Sequence, residues 1–161
     1  MRISKSNQGI TISEIVIFIV IAGIAYLALM RVFIFANELS MRNEVQTTMI
    51  QMLMDRMEII KSKRFDEKLY PSWSTTLGPD TGELTEADFD DCDDFQHYLE
   101  SNIPGYGGYE RYTRVFYVNP AININDSIPN VMFMKKIIVR VTHSDYGSLE
   151  MSALMASRSG L

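Results

Sequence analysis

The chain has 161 residues, 47% of them hydrophobic, a formal net charge of -5 and a single cysteine. This is one domain's worth of material, too little for two independent cores once a membrane segment is set aside. The acidic balance argues against a nucleic-acid binder, which answers phosphate charge with a basic face, and Cys92 alone makes neither an internal disulfide nor a cysteine-cluster metal site.

The first element is Ile10–Met30, 21 residues with one ionisable group, Glu14. As a helix rising 1.5 Å per residue it spans roughly 30 Å, the thickness of a bilayer's hydrocarbon. Arg2 and Lys5 precede it and keep the short leader cytoplasmic. Arg31 follows it and snorkels to the far interface. The rest of the chain then lies outside the cytoplasm. A secretory signal cleaved at Ala22-Gly23-Ile24-Ala25 would instead give a soluble chain beginning at Tyr26.

Gly9 stands between the polar leader Met1–Gln8 and the apolar run. Cleavage after it leaves the hydrophobic segment on the mature chain, with Glu14 at its fifth position. A charged group in mid-membrane costs about 2.5–3.5 kcal/mol on insertion scales, less nearer the interface, and so asks for a function. Its partner must be a cation at the same depth, and the span supplies none. The new α-amino group of Ile10 on a neighbouring subunit serves: at ~4 Å and an effective dielectric near 20, the pair gains on the order of 4 kcal/mol. It would also set axial register. The plainer alternative is a single-pass anchor whose Glu14 is protonated or snorkels.

Gly9-Ile10-Thr11-Ile12-Ser13-Glu14 and the apolar run after it resemble the prepilin processing motif of type IV pilin-like proteins. The resemblance implies cleavage of the Gly9–Ile10 bond by a prepilin peptidase and N-methylation of Ile10. It also implies assembly through Glu14, with Thr11 matching the common pattern.

Beyond Arg31 the chain stays apolar to Phe35 and then becomes amphipathic. Leu39, Val45, Met49, Met52, Leu53, Met57 and Ile60 recur at helical spacing and form one stripe. The methionines Met41, Met49, Met52, Met54 and Met57 read as core packing rather than an adaptable binding groove. A helix from Ile10 to about Lys63 is roughly 80 Å long. The remaining residues cannot cover it, so its first half needs lipid or other helices. The expected organisation is a leader (1–9), a membrane-spanning or filament-core half-helix (10–35) and an extracytoplasmic globular domain (36–161).

Residues 66–110 mix Pro, Gly, Asp and aromatics without periodicity and read as a long structured loop with a helical turn around Phe95–Leu99. Strands are expected over Arg111–Val118, Lys136–His143 and Ser148–Ala156. Leu149, Met151, Ala153 and Met155 point inward, and Ser144–Gly147 forms a hairpin loop. The fold class is α+β: a long N-terminal helix with a small antiparallel sheet of three or four strands on its second half.

Within the loop, residues 78–94 hold eight acids and no base. Asp88, Asp90, Asp91, Asp93 and Asp94 repel one another unless cations or bases intervene. Hard oxygens at that density suit Ca²⁺, although the spacing departs from the EF-hand loop. The alternative is a solvated loop, or one paired with Lys63, Arg64 or Lys68. No nucleophile or pocket residue converges nearby in sequence, and the chain does not read as an enzyme.

The segments Met57–Glu67, Leu77–Glu83 and Phe89–Phe95 resemble minor pilin-like proteins of mannose-sensitive haemagglutinin type pili. The resemblance implies a minor subunit of a type IV pilus, held as a single-pass protein in a bacterial inner membrane with its C-terminal domain in the periplasm. Its partners would be prepilin peptidase, other pilin or pilin-like subunits and the inner-membrane assembly platform. Calcium stabilises the loops of some pseudopilins. A pseudopilin of a type II secretion system fits the same physics, and a non-assembling membrane protein with a ligand-binding outer domain is the alternative of another class.

Overall fold

The computed structural model describes residues 11–68 and 72–157. Helix α1 runs Ile12–Ser62 without a break. Gly23 is the sole glycine and proline is absent from this range, so nothing interrupts the i→i−4 ladder. Thr11 caps the start, and Ser62 Oγ donates to the Ile59 carbonyl at 2.7 Å at the other end. Lys61 lies in the last turn, where a cation complements the carbonyl end of the helix.

Every residue from Thr11 to Glu44 is exposed. The apolar part of this stretch is long enough to cross a membrane. Burial begins only with Val45 and Met49. The expected stripe is therefore shorter than its periodicity, since Leu39 is exposed, and the core packing expected of all five methionines is corrected for Met41 and Met54, which are exposed because they lie off the buried face. Chain contacts divide the molecule between Asn43 and Glu44. The expected division at residue 35 marks the end of the apolar run; this one marks where the core begins.

In the second unit, the buried helix residues Met49, Met52, Leu53, Arg56, Met57 and Ile60 alternate in steps of three and one, which is one helix face. The sheet has four strands in the order β1-β2-β3-β4, β1 being Leu99–Glu100, β2 Tyr109–Tyr117, β3 Met134–His143 and β4 Gly147–Ala156. All its pairings are antiparallel. Val115, Ile137, Val139 and Val141 are buried against the helix residues, with Leu149, Met151, Ala153 and Met155 half-buried beside them. Each such aliphatic side chain contributes about 1.5–3 kcal/mol when fully withdrawn from water. The β3–β4 loop closes at Gly147, whose φ of 83° is the left-handed conformation that a short hairpin loop asks of glycine.

The helical turn expected over Phe95–Leu99 is corrected. A 3-10 turn occupies Asp93–Phe95, and Leu99 already belongs to β1. The chain turns extended because β2 offers better partners: Val115 N donates to Gln96 Oε1 at 2.7 Å, and Thr113 N to the Tyr98 carbonyl at 2.9 Å. Phe89, Phe95 and Tyr98 pack edge to face with centroids 5.0–6.0 Å apart, the favoured aromatic geometry.

Candidate functional site

Of the residues expected to act in processing, Gly9 and Ile10 lie outside the described residues. Thr11 and Glu14 lie within them and form a capping box. Thr11 N and Thr11 Oγ1 both donate to Glu14 Oε2 at 2.8 Å, and Glu14 N donates back to Thr11 Oγ1 at 3.4 Å. This satisfies donors that the first turn of a helix leaves without carbonyl partners. Glu14 thus has a local role that charge reasoning did not supply, and its carboxylate stands at the very start of an exposed apolar helix.

The five aspartates do not converge on one point. Asp88 is exposed and accepts from Thr85 N at 3.0 Å and Thr85 Oγ1 at 2.8 Å. Asp90 pairs with Arg64. Asp94 caps its own loop, accepting from Asp90 N and Asp91 N at 2.9 Å each. Asp91 accepts from Glu67 N and Asp93 N at 2.8 Å each, and Asp93 pairs with Lys135. Alternate residues point different ways, and short backbone hydrogen bonds absorb most of the repulsion.

Two triads bring carboxylate oxygens within 4.8 Å of one another: Asp66, Glu67 and Asp91, and Glu83, Asp90 and Asp94. In the first, Asp66 Oδ2 lies 3.1 Å from Lys135 Nζ, and the Asp91 and Glu67 carboxyl groups face each other. Burial pushes Asp91 up to about 9, aided by the neighbouring Glu67 and Asp93 carboxylates. Burial works against the Glu67 charge too, yet hydrogen bonds from Asp91 and Lys68 hold its pKa below the usual range. With the Lys135 ammonium already seated on Asp66 and the Asp91 pKa raised, that triad fits a divalent cation poorly. The second triad is more open, and there Arg64 already answers Asp90.

Sequence reasoning missed the two cations that organise the loop. Lys135, on the inner face of β3, is fully buried. Its ammonium donates to the Phe65 carbonyl at 2.6 Å, meets Asp66 and Asp93 and lies 4.5 Å from the Phe65 ring centroid. Tyr117 Oη adds a hydrogen bond to the Ser74 carbonyl at 2.9 Å beside it. Burial opposes the ammonium, but the facing Asp93 keeps its pKa above that of ordinary lysine. Arg56, also fully buried, reaches from α1 to Glu86 at 2.7 Å and to Glu100 at 2.8 Å. Arg111 takes the same Glu100 at 2.6 Å. The Arg56 guanidinium carbon also sits 5.3 Å from the ring centroids of both Phe95 and Tyr98, within cation–π range. Helix, loop, β1 and β2 are thus tied through charged groups.

The buried acids make stability depend on pH. Burial raises Asp91 to about 9 and Asp94 to about 6, and raises Asp93 as well. A carboxyl whose folded pKa is raised contributes most below its unfolded value, near 4, and that contribution is lost as pH climbs through the folded value. Urea unfolding followed by Trp73 fluorescence in detergent should give a free energy lower at pH 8.5 than at pH 5.5, by on the order of 2 kcal/mol. Asp91→Asn should flatten the slope. Stability constant or rising over that window would refute the raised pKa values of these buried acids.

Comparison of the chain with protein-family models, with curated proteins and with solved structures finds no match.

Proposed function

We propose that the chain is a minor pilin-like structural subunit of a type IV pilus, cut after Gly9 and assembled through its N-terminal helix. The observation that carries this reading is the contrast within α1. From Met49 onward one face of the helix is buried in a core that the second unit completes with its own sheet. From Thr11 to Glu44 it is exposed throughout, and most of that stretch is apolar. Such a surface needs lipid before assembly and other helices after it. A helix that served only as an anchor would use the acid at its entrance as a cap alone; a helix packed among copies also uses its charge, because each new Ile10 amine supplies the missing cation.

On this reading the chain waits in the inner membrane with its globular unit in the periplasm. Prepilin peptidase frees the amine at the cytoplasmic face, N-methylation keeps it basic, and the assembly platform passes the helix into the filament beside other pilin subunits. Mass spectrometry of the protein purified from its native host tests the first step. The expected mature chain lacks Met1–Gly9 and begins with methylated Ile10. An intact Met1–Gln8 leader, or a chain beginning at Tyr26, overturns the proposal.

A further inference from the structure

The face of the sheet opposite the core carries a second constellation. Strand register sets Tyr112, Arg140 and Glu150 in one row across β2, β3 and β4, and Arg114, Ile138 and Ser152 in the next. With His97 from the segment before β1, the side chains of Tyr112, Arg114, Ile138, Arg140 and Glu150 line a cleft of about 390 Å³, within the size range of small-molecule sites.

Its groups are unequally committed. Arg140 is held by Glu150, with Nε and Nη2 donating to Oε2 at 3.1 and 2.8 Å. Arg114 lies over the Phe116 ring at 5.4 Å, and no carboxylate among the described residues pairs with it. His97 is the one non-glycine described residue at positive φ, 61°. Its Nδ1 shares a 2.6 Å hydrogen bond with Tyr112 Oη. A bulky side chain kept in that conformation is local strain of the kind that gathers at binding sites.

We propose that this cleft binds a small acidic saccharide, a sugar ring bearing one carboxylate. The guanidinium of Arg114, without a carboxylate partner among the described residues, presents the planar fork that a carboxylate fills with two hydrogen bonds. The fixed Arg140–Glu150 pair sets a donor beside an acceptor, the pattern that neighbouring ring hydroxyls answer. Tyr112 and Ile138 give a carbon surface for the ring's apolar side. The negative charge of Glu150 in the same cleft disfavours a dianion such as phosphate, and a neutral sugar leaves Arg114 unanswered. This inference stands whether or not the chain assembles into a filament.

The full-length chain in detergent micelles, titrated with D-glucuronate and followed by NMR, tests it. The expected result is saturable shifts at Arg114, Tyr112 and His97, with a dissociation constant on the order of 1 mM. D-Glucose should leave these signals in place, and inorganic phosphate should bind more weakly than glucuronate. Arg114→Gln, an exposed substitution with unchanged circular dichroism, should weaken binding roughly tenfold or more, and Arg114→Lys, which keeps the charge and loses the fork, by less. The proposal is overturned if glucuronate well above that concentration moves nothing, if glucose or phosphate binds as tightly, or if Arg114→Gln binds as the parent does.

Discussion

Lys135→Met lowers the unfolding free energy of the globular unit by about 3–5 kcal/mol, the usual result of removing one partner from a buried ion pair. The substitution keeps most of the side-chain length but strands Asp66 and Asp93 in the interior, where their own side chains are 1% and 3% exposed. It also leaves the Phe65 carbonyl without its 2.6 Å donor. A loss of that size moves a urea midpoint by about 1–5 M. Adding Asp93→Asn to Lys135→Met removes one orphaned charge and should recover part of the loss, so the double-mutant cycle reads the pair's coupling directly. A single-mutant loss under about 1 kcal/mol, the range of exposed pairs, would show that the ammonium does no more than a surface lysine.

Glu14→Gln should reduce the chain's recovery in sheared filaments by two orders of magnitude or more, while the membrane-held pool remains. The carboxylate–amine pair proposed above would be worth on the order of 4 kcal/mol at ~4 Å and an effective dielectric near 20. Glutamine is the informative substitute because of the capping box. At the third helical position it can still accept from Thr11, so the helix start survives and only the charge is lost. Glu14→Ala removes the cap as well, at about 1 kcal/mol more. Immunoblots of the filament and membrane fractions from the native host give the ratio. Filament incorporation of the glutamine variant at the parental level would exclude the carboxylate–amine contact and leave Glu14 a cap alone.

Much of the architecture was legible from periodicity. The helix from the apolar run to Ser62, the β3–β4 hairpin and the inward set Leu149, Met151, Ala153 and Met155 all follow from spacing, because a helix or strand with one buried face must repeat. β1 was not legible, since a two-residue strand has no period to detect. Lys135 and Arg56 were missed for another reason: a charged side chain is seldom found in a core. Yet Lys135 shares the parity of Ile137, Val139 and Val141, and Arg56 falls at stripe spacing between Leu53 and Ile60. Position in the pattern was the better guide than chemistry. The sugar-sized cleft was invisible to any linear reading, because its rows form only when three strands are set in register.

Cys92 lies fully buried in the loop, where its thiol hydrogen-bonds the Phe65 carbonyl at 3.3 Å and burial pushes its pKa well above the ordinary thiol range. Thiolate chemistry is therefore suppressed at that sulfur. The chain thus shuts the loop between α1 and β1 with ammonium and guanidinium clasps in place of a cystine. Its closure is indifferent to redox potential: the domain needs no oxidase at birth, and the same fasteners hold on either side of the membrane it is read to cross.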